Sequence, residues 1–277
     1  MPVMQRSGKI GLAFGSGSAR GWAHIGVIRA LEERGIRPAV VSGASTGSLV
    51  AAACAGGQVD ELESWVRSLT KIDVWRLMDA NLGGGGVMTG NKLMRAVRDR
   101  LVDREIEEMD CQFGAVAADL YTGREVWIKR GSMLSAVRAS SGLPGLFTPV
   151  QHEGRWLIDG GVVNPVPVSL CRALGADYVI AVSLNRRLPD KVLRRPDEES
   201  ADSTQASMME VMYTSIAIMQ EQITRSRLAG DPPDVVIRPR LSDFRLMDFH
   251  RAAEAIDEGY SAVERLHGEL AMAPGVS

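Results

Sequence analysis

The stretch VVSGASTGSLVAAACA, residues 40–55, decides the fold. It begins with a short apolar run typical of a buried strand, and it ends with small apolar residues typical of a buried helix. Between them lies the pattern Gly43-x-Ser45-x-Gly47, and a strand, a tight Gly-x-Ser-x-Gly turn and a helix together are the arrangement called a nucleophile elbow. The central serine of such a turn is strained, and its hydroxyl lies at a helix start, where free N–H groups favour negative charge. The stretch therefore predicts a nucleophile at Ser45, which needs a base and an oxyanion site from elsewhere in the chain.

The segment before the elbow predicts a second glycine-rich turn. Residues 9–14 show the pattern of a strand, residues 22–34 show one apolar helical face, and the loop GSGSARG (residues 15–21) joins them. A strand, a helix and a second strand in this order predict parallel strands with a right-handed crossover. Small residues before a helix start bring backbone N–H groups together, as an oxyanion hole requires. The alternative interpretation of the loop is a tight turn without a chemical role.

A nucleotide cofactor is not expected at this loop. Arg20 stands where the Gly-x-Gly-x-x-Gly pattern has its third glycine, and Val41 and Ser42 stand where an acidic residue would end the second strand. The sequence also contains no Gly-Lys-Ser/Thr triplet of the Walker type. No set of His, Cys and carboxylate residues has the spacing of metal ligands. We therefore expect neither a cofactor nor a metal.

Composition is that of an ordinary globular protein and argues against a nucleic-acid partner. Of the 277 residues, 45% are hydrophobic and 24% are charged. The net charge of −2 leaves no excess of basic residues to neutralise phosphates. The cysteines, Cys54, Cys111 and Cys171, lie in apolar settings and are expected to be buried free thiols. No secretory signal and no apolar run of the ~18–20 residues that a membrane span needs is visible, so we expect a cytoplasmic protein.

The middle of the chain predicts a second polar residue in a glycine turn. An apolar strand ends in the sequence DGGVVNP, residues 159–165, which places Asp159 directly before Gly160 and Gly161. Asp159 lies 114 residues after Ser45 (159 − 45), so only the fold could bring the two together. The surrounding periodicity predicts a pair of helices within residues 59–77 and single helices at 91–101, 132–141 and 167–174. It predicts strands at residues 113–118, 125–129 and 178–184.

The last third of the chain predicts a charged loop followed by a long helix. Residues 185–200 carry a basic run and then an acidic run, which indicates either a solvated surface loop or a contact with anionic lipid headgroups. Four methionines, at positions 208, 209, 212 and 219, fall in a helix predicted over residues 207–227, where we expect adaptable core packing rather than a lipid groove. A strand at 234–239 and one helix over 250–271 close the chain. Earlier, the four glycines at 83–86 predict a connector or a mobile cover over the site.

The residues alone leave the base open. A serine hydrolase of the α/β-hydrolase fold has its histidine late in the chain. His250 and His267 are the late candidates, and both fall in an amphipathic helix pattern, which indicates solvated histidines. His24 and His152 lie earlier, before Asp159. A histidine-dependent esterase and a serine–aspartate pair are therefore both hypotheses on these grounds.

Four motifs occur along the chain in a fixed order. They are GSGSARGWAHIGV (15–27), GASTG (43–47), SSGLPGLF (140–147) and DGGVVNPVP (159–167). Together they resemble the motifs of bacterial patatin-like phospholipases, in the branch related to neuropathy target esterase, and the resemblance covers residues 9–184. Two positions depart from the family pattern, because Ser16 and Ser18 stand where many members carry glycine. A serine still supplies its backbone N–H group, unless the turn requires a positive φ.

The resemblance implies a single patatin-type α/β domain of three layers, α/β/α, with a mainly parallel central sheet over residues 5–275. It matches less clearly in residues 185–277. It implies that Ser45 is the nucleophile, that Asp159 is the base, and that no histidine takes part. Gly17, Ser18 and Ala19 would supply the oxyanion donors. The supporting motif residues would be Gly15, Arg20, Gly21, Gly43, Gly47, Gly160 and Gly161.

The activity implied by this resemblance is hydrolysis of lipid acyl esters through an acyl-enzyme on Ser45, as in a phospholipase A or a lysophospholipase. The expected partner is a phospholipid or lysophospholipid substrate, with peripheral membrane contact as a further expectation. One alternative is a general carboxylesterase or thioesterase that acts on small acyl substrates. Another is a lipid-binding regulatory protein without catalysis.

Overall fold

One eight-stranded sheet organises the computed structural model, which describes residues 8–79, 88–184, 208–270 and 273–274. The strand order is β5-β6-β3-β2-β1-β7-β8, and β4 pairs with β3 as well. The strands are β1 (Ile10–Phe14), β2 (Val40–Ala44), β3 (Gln112–Asp119), β4 (Glu125–Ile128), β5 (Val150–His152), β6 (Arg155–Asp159), β7 (Tyr178–Val182) and β8 (Val235–Ile237).

Five strands of the sheet run parallel, and three join them in antiparallel pairs. The pairs β1–β2, β1–β7, β2–β3 and β7–β8 are parallel, as the strand–helix–strand pattern predicts. The strands β4 and β6 both pair antiparallel with β3, and β5 pairs antiparallel with β6. The expected mainly parallel sheet is confirmed.

Both faces of the sheet are covered, because alternate residues of its central strands enter two separate cores. Leu12 and Phe14 of β1 belong to the larger core, whereas Ala13 belongs to a smaller core that includes Val168 and Cys171 of the helix after β6. A strand that is buried on both faces must be apolar throughout, which explains the sequence of β1. The layers are therefore helix, sheet and helix, as expected.

Ten α-helices flank the sheet within the described residues. They are α1 (Ala23–Glu33), α2 (Thr46–Ala55), α3 (Val59–Arg67), α4 (Lys71–Leu77), α5 (Asn91–Arg98), α6 (Met133–Ser140), α7 (Val168–Ala173), α8 (Met208–Gly230), α9 (Ala252–Glu264) and α10 (His267–Leu270). All lie where the periodicity predicts helices, with one difference at the end of the chain. The single helix predicted over 250–271 is wrong: the chain turns at Arg265 and Leu266, where the Leu266 N–H bonds to the carbonyl of Val263 three residues earlier.

Two further predictions from the sequence need correction. Met219 is 54% exposed and Met212 is half-buried, so the methionines of α8 whose side chains are described are not core residues. The side chains of Met208 and Met209 lie outside the described part of the chain. The cysteines are free thiols, but only Cys171 is fully buried. The segments at 83–86 and 185–200 also lie outside the described residues.

Candidate active site

Ser45 lies in a strained turn between β2 and α2. Its backbone has φ 56° and ψ −130°, a conformation that a residue with a side chain rarely adopts. Gly47 makes the turn close-packed, because a Cβ atom at that position would lie 2.4 Å from the carbonyl oxygen of Phe14. The Ser45 N–H donates to Ser140 Oγ at 2.9 Å, and the Ser140 hydroxyl donates to the carbonyl of Val116 at 2.6 Å. The Ser-Ser-Gly motif at residues 140–142 therefore fixes the elbow against α6 and β3.

Strand pairing brings Asp159 to the same edge of the sheet as Ser45. Strand β3 lies between β2 and β6, with Ala44 opposite Val116 and Asp159 opposite Ala117. The last residue of β6 and the turn after β2 therefore flank adjacent positions of one strand. This register brings together two residues that lie far apart in the sequence.

Asp159 is a buried carboxyl group with a raised pKa. Burial raises its pKa from 3.8 to about 6, while the neighbouring Ser45 hydroxyl and the Gly161 N–H, which donates to Oδ1 at 2.8 Å, act to lower the pKa. Oδ2 is buried and forms no hydrogen bond of normal geometry, with Ser45 or with any other described residue. Asp159 thus has one oxygen held by the backbone and one oxygen free to accept a proton.

The glycine-rich loop supplies two free N–H groups rather than three. The N–H of Ala19 donates to the carbonyl of Leu246 at 3.3 Å, so Ala19 is already engaged. Ser18 has φ 51° and its hydroxyl donates to the same carbonyl at 2.6 Å. Ser18 therefore adopts a positive φ, the conformation that favours glycine, and its backbone N–H group is nevertheless left available. Within the described residues, the N–H groups of Gly17 and Ser18 have no acceptor, and both residues line the cavity at Ser45.

His24 supports this loop from behind. Its ring is fully buried and lies tilted against the ring of Phe14, with the two ring centres 5.0 Å apart. Its Nε2 lies 2.7 Å from the carbonyl oxygen of Gly15. A carbonyl oxygen only accepts, so Nε2 carries the proton. Burial lowers the pKa of His24 from 6.5 to about 4, although the bond to Gly15 opposes that shift. The ring is therefore neutral at pH 7 and is a structural group.

The remaining motif residues surround the same edge of the sheet. Gly15 donates its N–H to Val182, and the Arg20 Nε donates to the carbonyl of Gly17 at 3.3 Å. A Cβ atom on Gly161 would lie 2.5 Å from Nε2 of Gln220. The other glycines pack as tightly: Gly21 against Thr46, Gly43 against Gly47, and Gly160 against the carbonyl of Val116.

A largely apolar cavity opens at Ser45, with a free volume of about 130 Å³. Side chains from α2, α3, the turn after α3, α5 and the loop after α6 form most of it: Leu49, Trp65, Leu69, Met94, Val97 and Phe147. Tyr213 and Gln220 enter from α8, two turns apart on one face of that helix. Among the described lining residues there is no histidine. His250 lies in the short 3-10 helix before α9, and the side chain of His267 is not described.

Comparison with known proteins decides the family. The model of the patatin-like phospholipase family matches residues 12–172, more than half of the chain. An uncharacterized NTE family protein of Mycobacterium tuberculosis is 34% identical, over 91% of this chain and 89% of that protein. The chain belongs to the patatin-like phospholipase family. Membership in this family implies that the protein is a lipid acyl hydrolase.

Two further similarities place this patatin-like protein in the NTE-related branch and support its fold. It is 29% identical to lysophospholipase NTE1 of Pyricularia oryzae, over 91% of this chain but only 18% of that protein. The crystal structure of VipD from Legionella pneumophila superposes with a TM-score of 0.57 at 15% identity, over 95% of this chain and 67% of that one. At that identity the likeness concerns the fold alone. Within the described residues, no helix of the patatin-like protein is long and apolar enough to cross a membrane.

Sequence reasoning missed the contribution of α8 to the patatin-like site. Gln220 is buried beside Gly161, and the C-terminal half of the helix is tied to the turn after Asp159 by Arg227. Arg227 forms an ion pair with Glu125 at 2.9 Å and donates to the carbonyl of Val163. No motif marks Gln220. The sequence offers no signal that separates Gln220, which is buried, from the nearby Gln222 of the same helix.

Proposed function

We propose that the protein hydrolyses acyl esters of phospholipids or lysophospholipids, with Ser45 as the nucleophile and Asp159 as the base. One observation carries the proposal: the free, buried Oδ2 of Asp159 lies at the sheet edge beside the strained Ser45 turn. Family membership supports the lipid substrate, and so does the apolar cavity, which suits an acyl chain.

The reaction proceeds in two halves. Ser45 Oγ attacks the ester carbonyl carbon and gives its proton to Asp159 Oδ2, which forms a tetrahedral oxyanion. The bond to the alcohol breaks, and the alcohol oxygen takes that proton, which leaves an acyl-enzyme. A water molecule then gives a proton to Asp159 and attacks the acyl carbon. Ser45 Oγ leaves and recovers the proton, and the fatty acid is released.

Burial makes a carboxylate strong enough for this role. In small peptides an aspartate is a weaker base than a histidine by ~2.6 pKa units. The burial of Asp159 raises its pKa to about 6, which is within about half a unit of an ordinary histidine at ~6.5. We assign the N–H groups of Gly17 and Ser18 to the oxyanion, where one such donor contributes about 3–4 kcal/mol to transition-state stability. These contributions explain how the site could work without imidazole.

Substitution of each half of the pair tests the proposal. We expect Ser45→Ala and Asp159→Asn each to reduce hydrolysis of p-nitrophenyl butyrate and of lysophosphatidylcholine by at least about 10³-fold, with circular dichroism unchanged. Asp119→Asn is the matched control, because Asp119 ends β3 and its carboxylate accepts from the N–H groups of Tyr121 and Thr122 in the local turn. Full activity in either pair variant would disprove the dyad.

Two measurements address the alternative functions. A fluorophosphonate probe should label wild type and leave Ser45→Ala unlabelled, whereas a lipid-binding protein without catalysis would not be labelled at all. His250→Ala and His267→Ala should keep wild-type activity, since the proposed base is Asp159. Loss of activity in either histidine variant would favour a histidine-dependent esterase instead.

A further inference from the structure

A second cavity, which we call the basic cleft, lies between α8 and α9 over the carboxyl ends of β7 and β8. Ser183 and Leu184 follow β7, Val236 belongs to β8, and Thr224 and Ala262 form facing walls. The cleft has a volume of about 1320 Å³, compared with about 130 Å³ for the apolar cavity. In open parallel sheets, ligands bind in the crevice outside the carboxyl ends of the strands.

The basic cleft carries an excess of positive charge. Its described lining includes one acidic residue and five arginines: Glu221, Arg20, Arg225, Arg238, Arg240 and Arg265. Arg225 and Arg265 form ion pairs with glutamates. Across the described ranges, neither Arg238 nor Arg240 has a partner for its guanidinium, since Arg240 donates only its backbone N–H, to Glu258. The whole protein has a net charge of −2, so this local concentration of arginine creates a positive region on a slightly negative protein.

Arg20 connects the basic cleft with the candidate active site. Its side chain lines both cavities and bonds to the carbonyl of Gly17, next to the free N–H donors. A substrate at Ser45 therefore has an apolar cavity on one side and an arginine-lined cleft on the other. A charged group in the apolar cavity would lose its hydration without compensation, whereas the cleft offers guanidinium donors and access to water.

We propose that the basic cleft binds a phosphate-bearing group through Arg238 and Arg240. Guanidinium groups match phosphate oxygens in pairs, so two unpaired arginines at the end of one strand suit this ligand. The group is either the headgroup of the lipid whose acyl chain occupies the apolar cavity or a free phosphoester. The headgroup assignment rests on the proposed function, and the phosphate site itself does not.

The test compares the double variant Arg238→Gln/Arg240→Gln with wild type in three assays. Hydrolysis of dihexanoyl phosphatidylglycerol measures a substrate with a phosphate, hydrolysis of p-nitrophenyl butyrate measures one without, and calorimetry measures binding of glycerol 3-phosphate. The matched control is Arg37→Gln/Arg124→Gln, because both arginines are exposed and line neither cavity. Both double variants remove two positive charges from exposed positions.

We expect the cleft variant to lower kcat/KM for the phosphatidylglycerol by roughly 10- to 100-fold, mainly through KM, with p-nitrophenyl butyrate hydrolysis unchanged. The difference from wild type should shrink at high salt. If only glycerol 3-phosphate binding is lost, the site holds a free phosphoester. If the variant matches wild type in all three assays, the proposal is wrong. An inactive wild type would contradict the proposed function alone, because glycerol 3-phosphate binding would still test the cleft.

Discussion

The elbow region around Ser45 and the helix α8 contribute to the same cavity by different physical means. At the elbow, backbone atoms touch one another and the strand register fixes the position of each residue. Helix α8 lies beyond the segment that the family model matches, and it lines the cavity with residues that include Tyr213 and Gln220. The difference teaches that the conformation of the elbow depends on backbone packing, which tolerates little change. The part of the cavity that α8 lines depends on side chains, which can vary without disturbing the fold.

The sharpest contrast between the two regions should come from adding one methyl group to a glycine in each. Gly47→Ala places a Cβ atom 2.4 Å from the carbonyl oxygen of Phe14, so strands and elbow must separate. We expect a loss of at least about 3 kcal/mol in unfolding free energy and loss of esterase activity. Gly230→Ala at the end of α8 meets nothing within 4 Å and should leave both unchanged. Urea unfolding measures the stability, and equal tolerance at the two sites would remove the contrast.

The second prediction concerns the loss of stability that comes from burying the Asp159 carboxyl group beside the elbow region. The pKa of Asp159 is about 6 in the folded protein, against an ordinary value of 3.8. The folded state therefore favours the protonated carboxyl group, and the free energy of unfolding falls as the pH rises from 3.8 to about 6. The difference of about 2 units corresponds to about 3 kcal/mol. Asp159→Asn, which we expect to be inactive, should therefore be more stable than wild type by up to that amount at pH 8, and should lose this advantage near pH 3.5. Urea midpoints at the two pH values measure it. A variant that is less stable at pH 8 would contradict the raised pKa.

A third prediction concerns His24, whose pKa is lowered by folding, whereas the pKa of Asp159 is raised. Its pKa falls from 6.5 to about 4 in the fold, so the unfolded chain takes up a proton first and stability is lost as pH falls from 6.5 towards 4. The shift corresponds to about 3 kcal/mol. In wild type Asp159 offsets this loss over much of the same range. Asp159→Asn should expose the loss as a steep decline below pH 6.5. Adding His24→Gln, which keeps a donor for Gly15, should abolish the decline in unfolding experiments, and a decline that persists would assign it to other groups.

The sequence predicts the elbow region better than the α8 region for a physical reason. Close contacts between backbone atoms require glycine at fixed spacing, so the pattern of Gly43, Ser45 and Gly47 can be recognised in the sequence alone. The register that brings Asp159 beside them depends on pairing across β3, which no local pattern contains. For α8, periodicity predicts the helix but not which face meets the cavity. Apolar side chains lie on both its faces, and Gln220 is one polar residue among them.

The smallest effect is expected on the outer face of α8, where the sequence predicts core packing and the structure shows exposure. Met219 is 54% exposed, so Met219→Gln should change the unfolding free energy by less than about 0.5 kcal/mol. Met133→Gln is the matched control, because Met133 is fully buried in α6, and a polar amide there should cost at least about 2 kcal/mol. Urea unfolding of both variants at one pH measures the pair. A cost at Met219 comparable with that at Met133 would mean that the outer face of α8 is covered in solution, by another part of the chain or by a second copy, and that α8 is as constrained as the elbow.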